Sequence, residues 1–436
     1  MPMKILLIAP SAYLLGGVQD WLYLLTIGMR DKGHTIIVAI PNDNFHNGVL
    51  YNQYYKHIDA IYFNNKTGTS EGRINALSKL LLSHPVDLIV GVNIADIYTA
   101  YERVYHKLQK TKIVMTLHAI EGDYLGDIGQ YCQLLDGVIT TNKLTQKIVT
   151  ELKLLEKDHI YYAPYGVRAN TNLIMRDQKQ ELSIAWVGRF DNHQKRILDL
   201  VNILINLDQK DIAYRVSLAG DGPYKDKIEL ELGPWIKKNR VKMMGTLKKS
   251  ELQLFYEDNN ILLITSEWET GPIVAWEAMI SGLVVVSSEY VGYLSEGALI
   301  HEATALLYPT GSANAAAHQL SRLADTDLRM KLSMRGQQMA RSRYSLESSL
   351  NSWEKVFTTI LGYENRKQKT ILKYKSIAVS GRLDTLLGTR IGEFVRRCLA
   401  RKGYCRDPGS EWPHSHYAHT NSKALLNYAK SLEENA

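Results

Sequence analysis

Thirteen short apolar runs, each four to six residues long, recur along this chain with stretches of helical periodicity between them. Seven lie at 4–9, 35–40, 58–63, 87–92, 112–117, 137–141 and 160–163, and six at 182–187, 214–219, 241–244, 261–265, 284–287 and 305–308. Runs of Val, Ile and Leu without polar alternation belong to strands buried on both faces, and intervening helices are what parallel sheets require. A polar break at 168–180, carrying Arg168, Asn170, Asn172, Arg176, Asp177 and Lys179, divides the two series. The pattern predicts an α/β chain of two doubly wound domains, with ligands at the carboxyl ends of the strands, in the cleft between the domains. Residues 313–360 read as helices only, with Leu346, Leu350, Trp353, Val356 and Phe357 on one apolar stripe.

Composition narrows the function classes. A chain of 436 residues, 45% hydrophobic and 22% charged, suits two or three globular cores and argues against collagen-like, coiled-coil or disordered chains. Cys132, Cys398 and Cys405 are too few for a disulfide framework and wrongly spaced for zinc, which suits a reducing, cytoplasmic setting. No apolar run approaches the roughly 20 residues that cross a bilayer. The opening run lacks a basic leader and ends at Pro10, so it reads as a first strand rather than a signal peptide. The net charge of +7 is unevenly placed: residues 364–406 hold 12 Lys and Arg against 3 Asp and Glu, and 407–436 hold 2 against 4. Residues 1–363 are left with 38 of each sign. A neutral body argues against nucleic acid as a partner, and the basicity belongs to one tail segment.

The stretch most able to carry chemistry directly follows the 261–265 run. It reads Ser266-Glu267-Trp268-Glu269-Thr270-Gly271-Pro272-Ile273-Val274-Ala275-Trp276-Glu277-Ala278-Met279. Pro272 fits the first position of a helix, where its missing N–H costs nothing, and Gly282 fits just past the helix end. Such a helix turns free N–H groups and the positive end of its dipole toward the expected cleft, which makes an anion site. Glu269 lies just before that end and Glu277 about a turn and a half inside, where a carboxylate can accept from two hydroxyls of a sugar or ribose. The residues alone also allow Glu269 merely to complement the dipole and Glu277 to face solvent. After the first run, Gly16-Gly17 opens a helix, and glycine there lets backbone approach a phosphate or sugar closely. The sequence is not the G-x-G-x-x-G of a nicotinamide dinucleotide site. Asp325-Thr326-Asp327 has the form of a metal-binding Asp-x-Asp, but Leu328 and Leu332 follow at helical spacing, so it reads as a helix cap and no metal is expected.

Two glutamates separated by seven residues, set in S-E-W-E-T-G-P-I-V-A-W-E-A-M, resemble the retaining glycosyltransferases of family four. These have the GT-B fold of two facing Rossmann-like domains. Val187-Gly188-Arg189-Phe190 with Lys195 resembles the family's "GR…K" phosphate clamp, and Gly220-Asp221-Gly222-Pro223 its "GxGP" turn. Met244-Gly245-Thr246, Leu307-Tyr308-Pro309-Thr310-Gly311 and Pro164-Tyr165-Gly166-Val167 resemble further signatures, so that roughly residues 3–360 are covered. The resemblance implies that Glu269 approaches the transferred sugar, that Glu277 holds the nucleotide ribose, and that Arg189 and Lys195 neutralise the donor diphosphate. It places Gly17 and Gly271 on the donor as well, and His118, at the end of its strand, near the sugar. The chain departs from the family in having Gly271-Pro272 where Phe-Gly is common, Arg168 in place of Asp, and Arg196 rather than Gly after Lys195.

The expected organisation is an amino-terminal acceptor domain over 1–167, a donor domain over 168–343, a crossover helix over 344–363 and a basic tail over 364–436. The expected activity moves a hexose from a nucleotide-sugar, the co-substrate in place of any cofactor, to a glycan or lipid-linked acceptor in bacterial polysaccharide or glycolipid synthesis. Rival readings are a nucleotide-sugar epimerase and a non-catalytic binding protein of the same fold. In the tail, Arg366, Lys367, Lys369, Lys373, Lys375 and Arg382 precede a helical stripe of Leu383, Leu386, Leu387, Ile391, Phe394, Val395, Cys398 and Leu399. Arg390, Arg396, Arg397, Arg401 and Lys402 fall mostly between these apolar residues, a pattern that suits docking of 364–402 on an anionic membrane. The same pattern suits a helix packed by its apolar face on the protein body or a partner, its basic face solvated.

Overall fold

In a computed structural model the chain is described except at residues 10–16, 43–47, 109, 169–180, 211, 365–381, 400–421 and 435–436. Gly16, most of the polar break and most of the basic tail, including Cys405, lie outside the described residues. Every one of the thirteen apolar runs coincides with or overlaps a strand. The first seven are β1 (Lys4–Ile8), β2 (Thr35–Pro41), β3 (Ile61–Phe63), β4 (Leu88–Val92), β5 (Lys112–Leu117), β6 (Gly137–Thr140) and β7 (Ile160–Tyr162). The remaining six are β8 (Leu182–Val187), β9 (Tyr214–Ala219), β10 (Val241–Gly245), β11 (Ile261–Ile264), β12 (Val284–Ser288) and β13 (Ala305–Tyr308).

All pairings are parallel, in two sheets ordered β3-β2-β1-β4-β5-β6-β7 and β10-β9-β8-β11-β12-β13. Each sheet starts at its middle and grows to one side, and the chain then returns to the middle to grow to the other. The reversal falls between β1 and β4 in the first sheet and between β8 and β11 in the second. At such a reversal the loops leaving the two central strands diverge and open a crevice at their carboxyl ends.

The chain divides into two compact units, residues 1–164 with 350–427 and residues 165–349 with 428–436. The first unit buries Leu6, Ile8, Ile89, Ile113 and Met115 from its sheet against helices that supply Leu77, Tyr98, Tyr101 and Ile128. The second has a cluster of buried side chains around Ile184, Trp186, Leu218 and Leu263, and another around Leu262, Ala275, Trp276 and Val285. Gly166 belongs to this unit: a Cβ there would run into the Cα of Leu346 and the Cβ of Ser349, and Val167 donates to the carbonyl of Tyr344. The helix Leu346–Gly362 carries the predicted stripe. From Leu350 onward it belongs to the first unit, where Trp353 lies against Trp21 and donates its indole N–H to the Pro164 carbonyl.

Asp325 caps the helix Thr326–Tyr344, its carboxylate accepting from the N–H groups of Asp327 and Leu328 at 2.9 and 3.2 Å. In the tail, the helix Arg382–Cys398, kinked at Gly388, lies on the first unit but not by its apolar stripe, so of the arrangements the pattern allowed, packing on the body by the apolar face is not the one found. Its polar residues Asp384, Glu393 and Arg396 are buried, while Leu386, Leu387, Ile391, Phe394 and Leu399 are exposed. No helix of the described residues is long and apolar enough to cross a membrane.

Candidate active site

The reversal in the second sheet gathers the second unit's predicted residues. The loop after β8 begins at Gly188, whose N–H donates to Ala219 at the end of β9. The Gly220–Gly222 turn lies so close that a Cβ on Gly220 would strike the Gly188 carbonyl and one on Gly222 the backbone of Phe190. Phe190 and Asp221 are also joined by a 2.8 Å backbone hydrogen bond, and Gly220 donates to Gly245 at the end of β10. These glycines are there because three loops are layered at van der Waals distance, which side chains would prevent.

Asp191 then folds the loop back. One carboxylate oxygen accepts from the N–H groups of His193 and Gln194 at 3.0 and 2.8 Å, and the other from Arg189 at 3.0 Å. Burial raises its pKa, but the Gln194 N–H and the Arg189 guanidinium outweigh burial and hold the carboxyl below its ordinary range. The turn delivers Lys195, whose ammonium is 2.6 Å from Glu269 Oε1, its side chain 19% exposed and that of Glu269 7%. Ser266 donates to the same oxygen at 2.5 Å. The backbone of Glu269 is fixed by donation to Val291, and Thr265 binds the Lys195 carbonyl at 2.6 Å. Arg189, by contrast, keeps a side chain 65% exposed, available to an anion.

The helix after the loop runs Ile273–Ile280, one residue later than predicted. Pro272 is its N-cap, with ψ at 96°, and Gly271 before it has φ at 85°, so the backbone turns into the helix only after the proline. Gly282, at φ 83°, follows the helix end as expected. Glu277 is half-buried and accepts a 3.1 Å hydrogen bond from Tyr256. Burial first, and then the Glu277 carboxylate, push the Tyr256 pKa far up, so the phenol stays a donor. Glu277 and Tyr256 line a cavity of about 400 Å³ together with Arg168 and Lys249.

Ser266, Asp191 and Tyr256 were not singled out from the sequence. Ser266 and Asp191 lie beside residues that were, but nothing in the sequence brings Tyr256 to Glu277. In the first unit, Gly17 begins the helix Gly17–Asp31 and is exposed. His118 is buried, 4.6 Å from Trp21 between ring centres, with its Nε2 3.0 Å from Thr116 Oγ1. Desolvation pushes its pKa down to about 3, so it is neutral near pH 7 and offers hydrogen bonding but no charge. Among the described residues no group of three or more His, Cys, Asp or Glu is placed to hold a metal ion.

Residues 175–339, which fall within the stretch of the second unit, match the family described as "Glycosyl transferases group 1". An uncharacterised 41.2 kDa protein in the cps region of Klebsiella pneumoniae is 32% identical over 113 residues, 26% of this chain and 28% of that one. One of the subunits of human phosphatidylinositol N-acetylglucosaminyltransferase is 22% identical over 307 residues, 64% of this chain and 60% of that one. The chain thus spans less than two thirds of the length of either curated relative. The Anabaena protein HepE, solved with UDP and with UDP-glucose, is 17% identical, covers 82% of this chain with 100% of its own in the UDP complex, and superposes with a TM-score of 0.67. The two parallel sheets are those of the GT-B fold.

Proposed function

We propose that this chain, whose residues 175–339 match the group 1 glycosyl transferases, is a retaining hexosyltransferase that uses a UDP-activated sugar. The observation that carries the reading is the Lys195–Glu269 pair at the reversal between β8 and β11, with Ser266 on the same carboxylate oxygen. An exposed guanidinium, Arg189, stands on the same loop, and a second carboxylate, Glu277, on the following helix. A bound diphosphate draws on Arg189 and Lys195, and the ribose hydroxyls donate to Glu277. In the transfer step the bond from the sugar C1 to the phosphate oxygen breaks while C1 bonds to an acceptor hydroxyl on the same face. The hydroxyl proton passes to the departing phosphate. Fixed cations at the phosphate stabilise the charge that develops there. Glu269 positions the sugar and is no nucleophile, and Gly271 lets backbone approach the donor. UDP is chosen because HepE is solved with it, and the acceptor is a glycan or glycolipid because the relatives' names point there.

Transfer from UDP-sugars to a panel of acceptors, with the product anomer read by NMR, tests this. Retention is expected, with UDP released only when an acceptor is present. Glu269→Gln and Arg189→Ala should each cut transfer by at least about a hundredfold, the scale of lost transition-state electrostatics. Inversion, or full turnover in both variants, would sink the assignment.

A further inference from the structure

The helix Arg382–Cys398 sorts its side chains in an order opposite to that of an ordinary surface helix. Both its acids face inward. Asp384 pairs with Arg396 at 2.6 Å, the two side chains 2% and 3% exposed, and Gly392 leaves the room that lets the Asp384 carboxylate approach. Glu393, also buried, accepts from the Thr67 hydroxyl at 2.8 and 2.9 Å and from Thr69 at 2.6 Å. The ion pair closes within the helix, across its kink, and the Glu393 hydrogen bonds to Thr67 and Thr69 hold the helix on the first unit. Outside, mainly apolar and cationic side chains remain: Leu386 is 79% exposed, Phe394 68%, Ile391 and Leu399 56%, with Leu387 beside them and Thr385 among them. Arg382, Arg390 and Arg397 complete the face, Arg397 42% exposed and donating through its Nε to the buried Glu393 at 3.0 Å.

Five large apolar side chains left exposed on one short segment mark something it binds. We propose that this face docks on an anionic lipid bilayer, with the Leu, Ile and Phe side chains in the acyl boundary and the three arginines on the phosphates. A bilayer surface meets both halves of the chemistry at once, a shallow apolar layer beneath a sheet of negative charge. The charge also disfavours a second copy as the occupant: the sequence over 364–406 holds 12 Lys and Arg against 3 Asp and Glu, and pairing this face with itself would oppose two such segments. Burial of Asp384 and Glu393 serves the same end, because it removes from the surface the charges that a lipid phosphate would repel.

Flotation of the full chain with vesicles of phosphatidylcholine, alone or mixed with phosphatidylglycerol, tests this without donor or acceptor, so the result is independent of the transferase reading. The wild-type chain should float with the mixed vesicles and not with phosphatidylcholine alone. Leu386→Asp with Phe394→Asp should weaken binding at least about tenfold, and each of Arg382, Arg390 and Arg397 changed to Gln about fivefold. Leu230→Asp, at a side chain 81% exposed on the second unit, should change nothing. Hydrogen exchange of the wild-type chain, which needs no variant, should slow over 386–399 on mixed vesicles. Failure to float, flotation unchanged by the Asp pair, exchange unaltered on vesicles, or a wild-type dimer that Phe394→Asp dissolves would each overturn the proposal.

Discussion

Arg196 holds a left-handed backbone, φ 48°, a conformation that costs an L side chain about 1–2 kcal/mol and glycine almost nothing. It is also the position where the resembled family carries glycine. The arginine offsets the strain through ion pairs to Asp199 at 2.8 Å and Glu267 at 2.9 Å, partly exposed and worth roughly 0–1 kcal/mol each. Removing the side chain with the strain kept should therefore hurt, and removing both should not. Arg196→Ala is expected to lower the second unit's stability in urea by about 1 kcal/mol, and Arg196→Gly to leave it within about 0.5 kcal/mol of the wild type. Equal stability of the two variants would show that the backbone there is not strained. His118 makes a prediction of the other kind. Its folded pKa of about 3 lies below the ordinary 6.5, so the unfolded chain binds its proton first as pH falls. The stability this histidine protects is full above pH 6.5 and is lost as pH drops toward 3, by roughly 1.4 kcal/mol for each pH unit between. His118→Gln, which can keep a hydrogen bond to Thr116 but cannot titrate, should flatten the pH dependence of the first unit's urea midpoint between pH 6 and 4, and an unchanged slope would assign the acid sensitivity elsewhere.

At the level of elements, the strands were legible because a strand covered on both faces must be apolar without interruption, and no helix surface imitates that for four to six residues between polar turns. Their ends were less so. The run over 58–63 shrinks to β3 at Ile61–Phe63 because Asp59, at φ 52°, turns the chain just before it. Pro272 was placed one residue too far into its helix, since a proline's fixed φ suits the N-cap as well as the first turn and only ψ decides between them. The loops that carry Arg189, Lys195 and Glu269 were found from residue types at strand ends, yet the hand that shapes them, Asp191, is an ordinary loop carboxylate until its hydrogen bonds to His193 and Gln194 are seen. The tail helix shows the limit most clearly. Periodicity puts the apolar residues on one stripe without saying which way it faces, and it faces outward here because Glu393 closes on Thr67 and Thr69, partners that no local pattern links. A pattern of hydrophobicity records which residues share a face, and only tertiary pairing records which face is turned inward.

For the whole molecule, the consequence lies in which stretches of chain each unit needs. The second unit is almost continuous, residues 165–349 with a short piece from 428, whereas the first is completed by residues 350–427. That contribution is concentrated in the helix Leu346–Gly362: Trp353, Phe357 and Ile360 have no exposed surface, and the Trp353 ring lies 4.9 Å from that of Trp21. Leu350 fills the space that Gly28 leaves, and Lys112 donates to the Tyr363 carbonyl at 2.5 Å. Replacing a buried Trp by Ala costs about 3–5 kcal/mol, a large part of the 5–15 kcal/mol that holds a domain folded. Trp353→Ala should thus lower a calorimetric transition that belongs to the first unit and leave the second unit's in place. A nucleotide that binds only the folded second unit raises that unit's stability by about 2.7 kcal/mol at a hundred times its Kd. In the Trp353→Ala chain UDP should accordingly still lift the upper transition by its wild-type amount, because the Lys195–Glu269 pair, Arg189 and Glu277 all belong to residues 165–349. If both transitions fall together, or the UDP shift disappears with the tryptophan, the two units fold as one body and the donor site is not the property of the second unit alone.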